Sequence, residues 1–197
     1  MVKRDISHQS EIIRKIFHVI AGVLFIGIAL VIETMAGMPT LLLAMLIALL
    51  LSLVSDHLRI ERGVHTHIFR WLQRAREVDH LHATSFTFIG ALLAFTFFER
   101  DIAYAAMAMF FFGDAAAAII GRTFGRRKLI GKKSLIGSGS MLLVNVAACY
   151  GITRSLPITL VMAAVSTIIE AISEKMDDSF LIILFSGAAA QLLRLLL

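Results

Sequence analysis

The sequence predicts an all-α, polytopic membrane protein with about seven transmembrane helices and a cytoplasmic N-terminus. Hydrophobic residues make up 58% of the 197 residues, and the mean hydropathy is +0.85. This composition favours a helical membrane protein over a water-soluble globule. The chain has only two prolines, so few helices are interrupted. Lys and Arg are distributed unevenly between the loops, which predicts the orientation as well.

Seven apolar runs each have close to the ~17–25 residues that a spanning helix needs. They lie at 16–33, 39–55, 83–98, 102–120, 135–153, 155–172 and 179–197. The run 83–98 is short, and the last run contains Arg194. We expect these helices to form one integral-membrane domain over residues 1–197.

All but three of the 19 Lys and Arg residues fall in segments that would share one side of the membrane. The exceptions are Arg100, Arg154 and Arg194. The positive-inside rule therefore places the N-terminus and the polar motifs in the cytoplasm, which predicts a multi-pass plasma-membrane protein with its active site on the cytoplasmic side. The net charge of +5 belongs to these loops. No nucleic-acid-binding motif accompanies it, so we expect no nucleic-acid partner.

Four further features of the sequence bear on how the chain is arranged at the membrane. Residues 56–82 alternate Arg with apolar side chains and predict a cytoplasmic amphipathic segment on the membrane surface, whereas 121–134 is a basic cytoplasmic loop. The N-terminus lacks a small-residue cleavage site, so we expect the first span to be retained. The single Cys149 excludes an internal disulfide and most simply packs in its helix. The sequence makes no prediction of oligomeric state.

Asp114 is the most informative residue, because it lies inside an apolar run directly before the basic loop. A carboxylate in hydrocarbon is costly unless it is paired or binds a cation, so it is a functional candidate. The small residues Gly113, Ala117 and Gly121 lie near it at helical spacing, which lets a ligand or another helix approach closely. The alternative is a helix-packing face whose Asp pairs with a neighbouring Arg.

A second polar stripe enters the first apolar run. Arg14, Lys15 and His18 follow Glu11 at offsets of 3, 4 and 7 residues, which places them on one helical face. Imidazole has the ordinary pKa nearest neutrality, so His18 is the predicted base, with Asp56 as the alternative. The structural alternative is that the basic side chains only anchor the helix to lipid headgroups.

Carboxylates also cluster around the end of the sixth run. Glu170 is followed at helical spacing by Glu174, Asp177 and Asp178, which repel one another unless a cation lies between them. Oxygen-only ligands suit Mg²⁺, so Asp114, Glu170, Asp177 and Asp178 form the predicted metal site. A solvated acidic turn is the alternative for the last two.

The basic loop carries the predicted phosphate-binding groups. Lys128, Lys132 and Lys133 can neutralise phosphate charge, and the backbone N–H groups near Gly137 and Ser138 offer a helix N-terminus to an anion. The loop is not a P-loop, because its Gly-Lys-Lys-Ser run misses the required spacing. Positioning and charge neutralisation of this kind are what phosphoryl transfer requires.

These motifs follow one another in this order along nearly the whole chain. With them, the sequence resembles the integral-membrane, CTP-dependent lipid kinases, which include dolichol, diacylglycerol and phytol kinases. The resemblance rests on Glu11-x-x-Arg14-Lys15-x-x-His18, Asp56-x-x-Arg59, Gly113-Asp114-x-x-Ala117-x-x-x-Gly121-x-x-x-Gly125, Lys133-Ser134-x-x-Gly137-Ser138 and Glu170 with Asp177-Asp178. It implies catalytic roles for Asp114, His18, Arg14, Lys15 and Asp56. It implies nucleotide contacts for Gly121, Gly125, Lys128, Lys132, Lys133, Ser134, Gly137 and Ser138.

The resemblance implies transfer of the terminal phosphoryl group of a nucleoside triphosphate, commonly CTP, to the hydroxyl of a membrane lipid. The carboxylate set above predicts Mg²⁺, or another divalent cation, as cofactor. The partners are then the lipid bilayer, the lipid substrate and the nucleotide. A phosphatidate cytidylyltransferase shares the Asp-Gly-basic region and is the competing enzyme. A transporter or scaffold is a third class, disfavoured because nearly all the charges lie on one side.

Overall fold

The computed structural model describes residues 2–62, 81, 83–125, 127–129, 133–173 and 178–197, with side chains described from residue 12 onward except at 62, 178 and 179. These residues are almost entirely helical, which confirms the all-α prediction. The helices are α1 (Val2–Arg62), α2 (Ala83–Phe97), α3 (Arg100–Ala108), α4 (Asp114–Phe124), α5 (Leu135–Thr153), α6 (Leu156–Ile172) and α7 (Asp178–Leu196). A π-helical segment, Met109–Gly113, joins α3 to α4 without a break.

Helix α1 is broken in its middle, which divides it into two apolar helices. Gly37 has φ 84° and ψ 167°, a conformation that side chains with a Cβ rarely adopt. Pro39 follows two residues later and has no N–H to donate. The break therefore lies between the predicted runs 16–33 and 39–55.

The helix formed by α3, the π segment and α4 is the core of the bundle. Every side chain from Ile102 to Phe111 is buried, and α2, α5 and α7 all pack against this part of the chain. Many of its residues are alanines, so the neighbouring helices approach its backbone closely. Asp114 is the first residue of α4, the C-terminal part of this continuous helix.

The chain between α4 and α5 folds back on itself. The Leu129 N–H donates to the Lys133 carbonyl at 2.8 Å, and the Leu135 N–H donates to the Arg127 carbonyl at 3.1 Å. Ser134 then caps α5 by accepting a hydrogen bond from the Gly137 N–H at 3.1 Å. This turn carries Lys133 back toward the bundle.

Three stretches of the described chain are long and apolar enough to cross a membrane: Ile12–Glu61, Arg100–Phe124 and Leu135–Thr153. Shorter apolar helices are Ala83–Phe97, Leu156–Ile172 and Phe180–Leu196. The count of seven spans and the cytoplasmic N-terminus stay predictions. Most of the predicted amphipathic segment 56–82 lies outside the described residues, because only 56–62 and 81 belong to them.

A polar network ties together the end of the bundle that contains Arg100. Glu33 accepts hydrogen bonds from the Tyr104 hydroxyl at 2.7 Å and the Arg100 guanidinium at 2.7 Å. Asp101 accepts two from Arg194, both at 2.6 Å. A helix rises about 1.5 Å per residue, so this network lies roughly 20 Å from Asp114 along the buried helix.

Candidate active site

Two lysine–carboxylate pairs, each with one fully buried and one partly buried partner, define the site. In the first, the Lys15 ammonium on α1 donates a short hydrogen bond to Oδ2 of Asp114, at the start of α4. Lys15 is only 5% exposed, so neither charge is well solvated. The predicted polar stripe on the first helix therefore meets the predicted carboxylate. The partner of Asp114 in this pair is a Lys, whereas the helix-packing alternative supposed an Arg.

His18 lies one turn further along the same face of α1. Its Nε2 is 3.7 Å from Asp114 Oδ2, and within the described residues this buried nitrogen has no hydrogen-bond partner. The ring packs edge-on against Phe110, with ring centroids 4.8 Å apart, and against Phe111 at 5.0 Å. Aromatic walls fix the imidazole beside the carboxylate and leave one ring nitrogen available. Arg14 also lies close enough to act on His18 electrostatically.

The second pair joins the basic loop to α6. The Lys133 ammonium donates a short hydrogen bond to Oε1 of Glu170, whose side chain is almost fully buried. The other carboxylate oxygen, Oε2, is buried without a hydrogen-bond partner among the described residues. Lys133 is also close enough to interact electrostatically with Asp114. The two pairs therefore form one centre with two carboxylates and two ammonium groups.

Asp56 belongs to a different set of contacts. It is completely buried, and its carboxylate accepts a hydrogen bond from Arg59 at 3.1 Å and from the Ser85 hydroxyl on α2 at 2.7 Å. Ser85 is in turn 2.7 Å from the Ser52 hydroxyl. These contacts explain Asp56 as a link between α1 and α2, and they make His18 the better candidate for the base.

The glycines predicted to contact the nucleotide are explained by packing. A Cβ on Gly121 would lie 3.1 Å from the Gly137 Cα, and one on Gly137 would lie 2.8 Å from the Ala117 carbonyl oxygen. A Cβ on Gly125 would lie 2.1 Å from the Gly121 carbonyl oxygen. These glycines let α4 and α5 touch. They position the basic loop, and a close approach by phosphate is not needed to account for them.

The start of α5 likewise has internal partners. The Ser134 hydroxyl caps the Gly137 N–H and approaches the Gly121 carbonyl at 3.3 Å, while the Ser138 N–H bonds the Ser134 carbonyl at 3.0 Å. Both N–H groups therefore have intramolecular acceptors in this structure, and anion binding at the start of α5 stays a prediction. The Ser138 hydroxyl is buried without a hydrogen-bond partner in the described chain.

The remaining predicted ligands are only partly described. Lys128 is exposed on the loop, whereas Lys132 and Asp177 lie outside the described residues, as does the side chain of Asp178. Over the residues that the structure describes, no group of three His, Cys, Asp or Glu side chains is arranged to hold a metal ion. Of the predicted metal ligands, Asp114 and Glu170 are therefore the two that can be placed.

Sequence reasoning missed three buried polar residues around the site: Ser85, Asn145 and Ser166. Ser85 donates a hydrogen bond to the Asp56 carboxylate, and Asn145 donates to the Ser166 hydroxyl at 2.8 Å. Asn145 is the residue that a search for polar groups inside apolar runs would have found, since it is the one amide in the run 135–153.

The chain is similar in sequence to two curated lipid kinases. The chain is 27% identical over 151 residues to CTP-dependent diacylglycerol kinase 1 of Eremothecium gossypii, a match covering 74% of this chain and 47% of the relative. It is 26% identical over 152 residues to CTP-dependent diacylglycerol kinase 1 of Saccharomyces cerevisiae, covering 74% of this chain and 51% of the relative. The chain thus spans about half the length of these curated relatives.

No family model matches the chain, and no solved structure matches it. The two relatives, both phosphotransferases by name, confirm the resemblance to CTP-dependent lipid kinases that the ordered motifs predict.

Proposed function

We propose that this protein is a CTP-dependent lipid kinase that transfers the terminal phosphoryl group of CTP to the hydroxyl of a membrane lipid. The observation that carries the proposal is the buried centre of Lys15, Asp114, His18, Lys133 and Glu170 at the end of apolar helices. Such a centre lies where a lipid headgroup and a water-soluble nucleotide can meet. Similarity to two CTP-dependent diacylglycerol kinases supports the choice of donor.

The lysines supply the positive charge that a triphosphate needs. Lys133 lies at the end of the basic loop with its side chain 25% exposed, so incoming phosphates reach it before they reach Lys15. Lys15 is deeper and faces Asp114. In a loose phosphoryl-transfer transition state the charge is spread over the equatorial oxygens, and fixed cations around those oxygens supply most of the catalysis.

The carboxylates fit a divalent cation. The buried Glu170 Oε2 has no hydrogen-bond partner in the described chain, and hard oxygen donors of this kind suit Mg²⁺. Asp114 and Glu170 would hold the ion, with Asp177 and Asp178 as further proposed ligands. When bound, Mg²⁺ would neutralise charge on the nucleotide phosphates.

The acceptor hydroxyl needs a base, and the hydrogen-bond partners of the candidate groups favour His18. Asp114 is engaged by Lys15, and Asp56 is engaged by Arg59 and Ser85, whereas His18 Nε2 has no partner among the described residues. The lipid hydroxyl oxygen attacks the γ-phosphorus, the bond from that phosphorus to the β–γ bridging oxygen breaks, and CDP leaves. The hydroxyl proton passes to the imidazole.

The acceptor class can be tested directly. Purified protein in lipid vesicles would receive γ-labelled CTP with Mg²⁺ and, separately, diacylglycerol, a polyprenol or phytol. We expect diacylglycerol to yield a labelled lipid phosphate, because the relatives are named for it. A labelled polyprenyl or phytyl phosphate instead would keep the kinase and change its substrate. Absence of label in every lipid would refute the proposal.

A further inference from the structure

Asn145 is a polar residue buried in the middle of α5. It is 0% exposed, and its amide nitrogen donates to the Ser166 hydroxyl on α6 at 2.8 Å. Its carbonyl oxygen, Oδ1, receives no hydrogen bond from any described residue. A buried amide oxygen without a donor is unfavourable, so the residue needs an explanation in what it touches.

Asn145 Oδ1 lies directly against Gly113. A Cβ at Gly113 would be 2.0 Å from that oxygen and 2.8 Å from the amide carbon, which no side chain tolerates. The amide therefore fills the space that a side chain on Gly113 would take. Gly113 is the last residue of the π-helical segment and immediately precedes Asp114.

The π-helical segment determines the direction in which Asp114 points. A π turn accommodates one more residue than an α turn, and one residue corresponds to about 100° of rotation in an α-helix. If Met109–Gly113 relaxed to regular α-helix, the residues after it would rotate relative to the buried face of α3. Asp114 would then turn away from Lys15 and His18. Single π turns occur frequently at functional sites, where they aim a side chain.

We propose that Asn145 is a positioning residue for Asp114. Its amide, anchored by Ser166, presses on Gly113 and holds the π-helical segment in the conformation that brings Asp114 to Lys15 and His18. Asn145 acts through its contact with Gly113 and is not itself one of the proposed catalytic residues. The kinetic part of the test rests on the proposed kinase function, whereas the cross-linking part does not.

The cross-linking test measures the position of Asp114 without any substrate. The apolar reagent dicyclohexylcarbodiimide converts a buried carboxylate to an O-acylisourea, and a lysine in contact displaces dicyclohexylurea to form an amide. Lys15–Asp114 and Lys133–Glu170 are both in contact, so the wild type should give two cross-linked peptides by mass spectrometry. The second pair is an internal control in the same sample.

In Asn145→Leu, which keeps the number and branching of the side-chain heavy atoms and removes the amide, the ratio of the Lys15–Asp114 product to the Lys133–Glu170 product should fall about fivefold or more. Thr159→Val is the matched control, because Thr159 is also a completely buried polar residue of the bundle, on α6. Its ratio should equal that of the wild type. Equal ratios in Asn145→Leu and the wild type would overturn the proposal.

Two further measurements keep the test decisive. If Asn145→Leu does not accumulate, Ser166→Ala deletes only the anchoring hydroxyl and should cause the same selective loss to a smaller extent. An unchanged ratio in Ser166→Ala would then overturn the proposal.

In the kinase assay, Asn145→Leu should lower kcat roughly 10–10²-fold while the KM for CTP changes by less than about threefold. A raised KM with normal kcat would contradict positioning of Asp114, whereas a wild type without transferase activity would refute the proposed function alone.

Discussion

Replacing Asp114 with Asn tests the centre of the site most sharply, because it removes one charge and preserves the shape. The Asp114 carboxylate receives the Lys15 hydrogen bond, lies 3.7 Å from His18 and feels the charge of Lys133. We expect kcat to fall at least ~10²-fold, which corresponds to a loss of about 2.7 kcal/mol of transition-state stabilisation.

The same substitution should also reduce stability, and its size follows from burial. Lys15 is 5% exposed and would lose the carboxylate that it faces. Breaking a buried pair by removing one partner costs about 3–5 kcal/mol. Removing both charges, as in Lys15→Met with Asp114→Asn, should restore most of the stability while leaving the enzyme inactive.

The matched control is Asp101→Asn on the same continuous helix. Asp101 forms an ion pair with Arg194 through two 2.6 Å hydrogen bonds, at the opposite end of the bundle and with greater exposure. Its loss should cost about 1 kcal/mol or less and leave kcat unchanged.

The assay is initial-rate phosphoryl transfer in vesicles together with thermal unfolding of the three variants and the wild type. If the double variant regains both stability and activity, or if Asp114→Asn and Asp101→Asn lose activity equally, then Asp114 has no specific catalytic role and the reasoning from its buried contacts is refuted.

Three other expectations follow from the same contacts. His18→Gln should lower kcat roughly 10–10³-fold with nucleotide KM intact, and an identical acidic limb of kcat against pH in wild type and variant would rule out His18 as the titrating base. Lys133→Ala should raise the KM for CTP about tenfold, because a phosphate-binding point charge is lost; unchanged CTP dependence would place the nucleotide elsewhere. Gly37→Ala should destabilise the fold by about 1–3 kcal/mol because of its positive φ, whereas Gly27→Ala, which has open space around its Cβ, should not; equal unfolding temperatures would contradict the strain argument.

Helical spacing was sufficient to predict the all-α class and which of the candidate site residues share a helical face. The offsets of Lys15 and His18 on one face required only the geometry of a helix, and the burial of Asp114 required only its apolar neighbours. The pairing of Lys15 with Asp114 was not predictable, because 99 residues separate them and Arg14 was an equally reasonable partner. Partners that meet through tertiary packing leave no local signal in one sequence.

The glycines and the second carboxylate illustrate the other limit. Gly121, Gly125 and Gly137 were predicted to admit a ligand, yet the same absence of a Cβ lets α4 and α5 touch. A glycine pattern alone does not distinguish these uses. Glu170 and Lys133 were assigned separately to metal and nucleotide, and the structure brings them into one pair. The π turn before Asp114 was also beyond prediction, because it depends on how Gly113 packs against Asn145.

The most direct test of the central claim uses CTP carrying different phosphorus isotopes at the α and γ positions. Wild-type protein in vesicles that contain both diacylglycerol and phosphatidate should place only the γ isotope in lipid, with one CDP carrying the α isotope released for each lipid phosphorylated. Asp101→Asn should give the same result, and Asp114→Asn should place almost no γ isotope in lipid. Appearance of the α isotope in lipid together with labelled pyrophosphate would contradict the account and identify the reaction as cytidylyl transfer.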